Sequence, residues 1–185
     1  MTPTIKTTTR EGIVRVPGTA MTNLDILYYV EKIQLPYFVG VFMRDTLPSS
    51  SWNRNTPQFG IMNLNKANQI GVHWVGWGCI PNDGIYFFDS FGADVPIELL
   101  RYLRTKEELA KNESLIRQNT YVVQKLGSSE CGRLSLFVLK CLSKNIPFDK
   151  IIQVLKIRYD DATDTTGSGE NRTNQMDRSV FSRTA

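Results

Sequence analysis

Cys131 is followed by Gly132 and then by Leu134, Phe137, Val138, Cys141 and Leu142, apolar residues that recur at helical spacing. A thiol so placed lies in the first turn of a core-packed helix. The unpaired amides there put positive potential on the sulfur and favour the thiolate, the form that attacks carbonyls. Gly132 carries no side chain beside the sulfur, which leaves room for a substrate backbone. Helical position alone would favour a buried structural cysteine, so the weight rests on three other residues. His73 is the chain's single histidine. A three-residue hairpin loop over Pro81-Asn82-Asp83 that pairs Ile80 with Gly84 sets Val75 opposite Asp89. His73 and Asp89 are then diagonal neighbours, roughly 7–8 Å apart at the backbone and within side-chain reach. A one-residue slip would put them on opposite faces. Asp89-Ser90-Phe91-Gly92 also has the composition of a turn that ends the strand. Gln124 precedes the cysteine, with Gly127 between them to let the chain fold back. Thiolate attack on an amide creates an oxyanion, and the Gln124 amide and the Cys131 N–H are donors suited to it. A strand-end glutamine in water is the plainer alternative, and Gln118 is a second glutamine set further from the thiol.

The order His73, Asp89, Gln124, Cys131 resembles that of the adenovirus protease and its relatives in the SUMO-protease clan. The matching pieces are Leu35-Pro36-Tyr37-Phe38-Val39-Gly40, Gly71-Val72-His73-Trp74, Phe88-Asp89-Ser90-Phe91-Gly92, and Gln124 with its step to Cys131-Gly132. They lie within Thr22 to Ser143. The resemblance implies an α+β fold, the papain-like cysteine protease fold in circularly permuted order, with a central mixed sheet packed by helices. It implies a cysteine endopeptidase with Cys131 as nucleophile, His73 as base, Asp89 as the orienting group and Gln124 as oxyanion donor. A narrow groove at Trp74 and Gly132 would prefer glycine near the scissile bond. The chain departs from the pattern in three places. Asp89 stands where the adenovirus enzymes carry Glu, as in the SUMO-protease branch. Arg133 replaces a less polar residue, which implies an exposed or acidic surrounding. Glu113–Val123 holds no cysteine to tether the viral enzymes' activating peptide, so no such cofactor is expected.

These residues need elements to hold them. Thr22 and Asp25 have capping-box spacing, and Leu24, Leu27, Tyr28, Ile26, Val30 and Ile33 form a wide apolar face, so a helix is expected from Thr22 to Pro36. Strands are expected at Tyr37–Met43, Gln58–Asn63, Val72–Cys79, Ile85–Phe88 and Thr120–Val123, with His73 inside the third. Further helices are expected from Pro96 to about Lys111, after Glu130, and from Asp149 to about Arg158.

Length and composition fit one soluble globular domain of 185 residues, with 41% hydrophobic and 22% charged residues. The boundaries read as a flexible N-terminal arm over 1–20 with one short strand at Gly12–Val16, a peptidase domain over 21–160, and a polar tail over 161–185. No run approaches the roughly 18 apolar residues of a spanning helix, so no membrane association is expected. Three cysteines at unrelated spacings point to a reducing intracellular compartment. The net charge is +4, and the acidic tail raises the excess in the body, which is compatible with weak nucleic-acid binding. Trp74 and Trp77 could stack on bases, but packing along a core strand or at a rim beside His73 explains them more simply. One histidine and three scattered cysteines lack metal-ligand spacing. Three functions remain in view: a monomeric viral maturation protease acting on polypeptides such as capsid precursors in host nucleus and virion, a protease removing ubiquitin-like modifiers, and a catalytically silent binding module or virion component.

Overall fold

The computed structural model describes residues 5–9, 12–49, 54–104 and 116–164, with side chains from residue 14 onward. Strands β1 (Ile5–Thr9) and β2 (Gly12–Val16) form an antiparallel hairpin. The second of these strands was expected, and the first, polar one was not. Helix α1 (Asn23–Lys32) opens on the expected capping box: the Asp25 N–H donates to Thr22 Oγ1 at 3.2 Å and the Thr22 N–H to the Asp25 carboxylate at 2.8 Å. Its apolar face is narrower than the sequence suggests. Ile26 is buried and Ile33 just beyond the helix is too, but Leu24, Leu27 and Tyr28 are exposed, because only one side of α1 meets the protein.

Five strands form the main sheet: β3 (Phe38–Met43), β4 (Gln58–Asn63), β5 (Trp74–Ile80), β6 (Gly84–Phe88) and β7 (Ile116–Gln118), in that spatial order. The outer pairs β3–β4 and β6–β7 are parallel, and the inner pairs are antiparallel, so the sheet is mixed. With helices α2 (Ile97–Leu103), α3 (Cys131–Leu142) and α4 (Phe148–Asp164) the architecture is α+β. Among the described residues no helix is long and apolar enough to cross a membrane.

Period-two alternation splits the core between the two sheet faces. Phe59, Ile61, Trp74, Tyr86 and Phe88 pack with Ile26, with Leu136, Val138 and Leu139 of α3, and with Ile151 and Leu155 of α4. Met62, Val75, Trp77, Ile85 and Phe87 pack with Leu99, Tyr102 and Leu103 of α2. Trp74 and Trp77 therefore belong to opposite faces. Three residues along a strand is an odd step, so the pair cannot form one stacking platform or share one row of a core strand.

Several boundaries differ from the sequence reading for identifiable reasons. β7 lies at Ile116–Gln118, where its residues pair with Ile85, Tyr86 and Phe87, and Thr120–Val123 is loop that turns back to donate the Val123 N–H to Ser90 at 2.8 Å. Helix α2 ends at Leu103, where Arg104 turns to an extended conformation; the expected continuation to Lys111 lies outside the described residues. Helix α4 runs past Arg158 to Asp164, into the start of the segment read as tail, and residues 165–185 lie outside the described residues.

Helix α3 lies across β5 at two glycines. A Cβ on Gly76 would stand 3.4 Å from Ser135 Cβ, and one on Gly78 would stand 2.9 Å from the Phe59 ring and 3.5 Å from Leu142. The bare backbone thus admits both the helix and the neighbouring ring. We expect Gly78→Val to overpack this contact and cost about 1–3 kcal/mol of unfolding free energy, read as a lower urea midpoint with an unchanged slope; an unaltered midpoint would show that the contact has slack.

Candidate active site

The α3 N-terminus sits beside the start of β5 and the end of β6, and that meeting point gathers Cys131, His73 and Asp89. Cys131 is the first residue of α3, preceded by Glu130, whose side chain makes no capping bond. The first-turn amides of a helix have no intrahelical acceptor, so they remain to polarise the sulfur. Burial pushes the Cys131 thiol up, but hydrogen bonds from His73, from the Trp74 backbone and from the Gly132 backbone outweigh it and bring the pKa below the ordinary thiol value. The other thiols behave oppositely. Burial pushes Cys141 up to about 12 and Cys79 higher still.

His73 stands one residue ahead of β5, not within it. The paired ladder with β4 ends at Asn63 and Trp74; one further bond, from the Leu64 N–H to the His73 carbonyl at 3.0 Å, holds His73, and before it Ile70 and Val72 are exposed. The hairpin register is the expected one, Ile80 opposite Gly84 and Gly76 opposite Phe88, so Val75 faces toward Asp89. His73 Nε2 and Asp89 Oδ1 are 2.9 Å apart. The ring also rests against Phe91, with centroids 5.0 Å apart. Burial lowers the tendency of His73 to hold its proton, yet Asp89 and Cys131 together raise its pKa to about 9. A carboxylate on one side of the ring and a thiol on the other favour the imidazolium–thiolate pair.

Asp89 is 1% exposed. Its Oδ1 also accepts the Phe91 N–H at 2.7 Å, and its backbone carbonyl accepts the Gly92 N–H at 2.9 Å, the turn that its sequence context suggested. Gly92 takes φ +71 in that turn. Both readings of the segment, turn and histidine partner, thus hold in one geometry.

Gln124 is buried, unlike a strand-end glutamine in water. Its Oε1 accepts from Ser90 Oγ at 2.7 Å and its Nε2 donates to the Ser128 carbonyl at 2.6 Å. An amide nitrogen carries two protons, so that bond leaves the second as a donor. Gly127, at φ +77, turns the chain between Gln124 and the cysteine. Gln118 ends β7 and donates to Asp94 at 3.0 Å, outside this network.

Trp74 and Gly132 are buried against each other and Met21. The Trp74 indole N–H donates to the Met21 carbonyl at 2.8 Å, and a Cβ on Gly132 would stand 3.0 Å from Met21 Sδ and 3.4 Å from Trp74 Cδ1. The room that Gly132 leaves is filled on that side by the protein itself. Arg133 is buried and pairs with Glu130, the acidic neighbour that its presence in α3 implied. Ser90 and Asn119 were not legible as site residues. Ser90 lay within a segment read as a turn, and Asn119 sits in a polar run, Arg117-Gln118-Asn119-Thr120, with no spacing that sets it apart.

The fold and this site together define a cysteine–histidine–carboxylate arrangement on an α+β scaffold. Residues 38–176 match the family described as adenovirus endoprotease, and the chain belongs to that family. No curated protein matches this chain. Among solved structures, it is similar to the ASFV pS273R protease at 18% identity and a TM-score of 0.47, covering 80% of this chain and 64% of that one. The selenomethionine form of that protease gives 18% identity and a TM-score of 0.46, covering 77% and 66%. The chain thus spans just under two thirds of the length of those structures.

The pKa directions set a pH window. The imidazolium–thiolate pair persists from the lowered Cys131 pKa up to the His73 value of about 9, and is lost below it by protonation of sulfur and above it by deprotonation of the ring. Iodoacetamide should therefore label Cys131 of the native protein ahead of Cys79 and Cys141, at a rate that persists below the ordinary thiol range. His73→Ala should move that acid limb upward. Mass spectrometry of labelled peptides across pH checks both, and fastest labelling at Cys79 or Cys141 would refute them.

Proposed function

We propose that this protein is a cysteine endopeptidase, and the observation that carries the reading is His73 held by Asp89 at 2.9 Å beside a thiol whose pKa is lowered. The Cys131 thiolate attacks the scissile carbonyl carbon, and the carbonyl electrons move to oxygen. The second Gln124 amide proton and the Cys131 N–H stabilise that oxyanion. The His73 imidazolium gives its proton to the leaving amine, and a thioester remains on Cys131. Water then adds to the thioester carbonyl and gives a proton to His73, and collapse returns sulfur and the carboxylic product. Asp89 orients the ring and stabilises its charged form throughout.

In this reading the substrates are viral structural precursors, capsid proteins among them, cut at glycine-containing sites by a monomer working in a reducing intracellular compartment, host nucleus and virion included. Family membership supports the viral role, and the three free thiols support the compartment. Asp89 in place of glutamate favours a second reading, removal of a ubiquitin-like modifier. A Gly-Gly-containing peptide library assayed beside a folded modifier carrying a C-terminal fusion separates the two: cleavage of peptides alone supports the maturation protease, and a strong preference for the folded modifier supports the other.

Cys131→Ala and His73→Ala should each abolish cleavage with the fold intact, Asp89→Asn should weaken it less, and Gln124→Ala should lower kcat by about 10²–10³ with little change in KM. Turnover retained by Cys131→Ala but lost by Cys79→Ala or Cys141→Ala would overturn the assignment of the nucleophile, and no cleavage by the unaltered chain would leave only a binding module. Activity should also persist in reductant without a disulfide-linked peptide, and any stimulation by DNA should fade as salt screens the basic body. Rescue only by a peptide that forms a mixed disulfide would overturn the first expectation, and a salt-independent DNA effect the second.

A further inference from the structure

The parallel ladder between β6 and β7 ends where Phe87 stands opposite Gln118. Asp89 lies beyond that rung, buried, with a backbone N–H that still needs a partner and a C=O that the Gly92 N–H of its turn occupies on one side only. One side chain reaches both. Asn119 Oδ1 accepts the Asp89 N–H at 3.1 Å, and Asn119 Nδ2 donates to the Asp89 carbonyl at 2.6 Å. A carboxamide presents an acceptor and a donor as a peptide unit does, so Asn119 continues the ladder with its side chain after the main chain has turned away. Its other Nδ2 proton goes to the Tyr121 carbonyl at 3.0 Å, and the side chain is itself buried. The amide orientation is fixed by these three bonds, because a flip would set donor against donor and oxygen against two carbonyls. No other side chain of that size serves: aspartate has no donor, leucine neither group, and serine lacks the reach.

We propose that Asn119 is the positioning residue for Asp89, fixing the carboxylate that holds His73; its role in turnover rests on the peptidase reading above. Asp89 Oδ1 carries two bonds, to His73 Nε2 at 2.9 Å and from the Phe91 N–H at 2.7 Å. The oxygen's place follows from the backbone of residue 89, which Asn119 grips at both polar atoms. Reacting constellations tolerate only about 0.5 Å of displacement. A rotation of that peptide would exchange the His73 contact for water.

The chain has one histidine, so its imidazole resonance reports on His73 without ambiguity. The titratable groups that face the ring are Asp89 and Cys131. Asn119→Leu keeps the shape and removes both bonds, and Asn119→Ala removes the side chain. In either variant the His73 titration midpoint should fall from about 9 toward its ordinary 6.5. Peptide cleavage should lose roughly 10- to 100-fold in kcat with KM little changed. Adding Asn119→Leu to Asp89→Ala should cost little further, since the two act in series. An unmoved His73 midpoint in a folded variant, a fully additive loss in the Asp89→Ala background, or failure of both variants to fold would assign Asn119 to stability alone and overturn the proposal. A chain without peptidase activity whose His73 midpoint still falls on substitution would refute the peptidase reading while supporting this one.

Discussion

Helix α3 must come close enough to β5 to bring its first residue to the residue that precedes the strand, and everything at the site follows from that approach. Gly76 and Gly78 leave the strand bare where the helix crosses, and Ser135, Leu139 and Leu142 sit within contact distance of the positions their side chains would occupy. Cys131 and His73 are thus set together by core packing, with Cys131 a free thiol. The same apolar burial that stabilises the sheet fixes the distance between sulfur and ring, so mutations deep in the core act on the chemistry as well as on stability.

The electrostatics at that meeting point work against burial. Taking a thiol and an imidazole out of water disfavours both charged forms. Each nevertheless moves toward its charged form, since His73 lies between Asp89 and Cys131 and the sulfur receives backbone hydrogen bonds from Trp74 and Gly132. Cys79 and Cys141 show the alternative: equally apolar surroundings without such donors push both thiols far up. The difference between the lowered thiol and the two raised ones, all three buried, is therefore one of neighbours more than of depth.

Polar loops complete the site by bonding to one another's backbones. Ser90 joins the Asp89 turn to Gln124, Gln124 joins that turn to Ser128, and Asn119 joins it to β7. Buried polar groups of this kind are costly when any partner is missing and rigid when all are present. Two segments distant in sequence, the turn at Asp89 and the run from Asn119 to Ser128, are held in one arrangement in this way.

Local pattern sufficed for much of this. The capping box at Thr22, the β4 span, the three-residue hairpin that sets Asp89 beside His73, and the apolar repeat that begins α3 at Cys131 depend on neighbours a few residues apart, and short-range chemistry decides them. What local pattern could not supply was whatever depends on a distant partner. The β-branched and aromatic run at Val72 looked like strand, but the paired ladder ends at Asn63 and Trp74, and His73 is held beyond it only by a single bond, from the Leu64 N–H to its carbonyl. The last strand fell at Ile116–Gln118 because β6 pairs there. Leu24, Leu27 and Tyr28 were left in solvent because α1 is covered on one side only. Gly132 faces Met21 and Trp74, residues remote in sequence, and Asn119 matters only once Asp89 lies beside it. The sequence by itself determined which residues can do chemistry and which local elements carry them; the tertiary structure decided which backbone atoms meet, because a hydrogen bond between residues 89 and 119 leaves no periodicity along the chain.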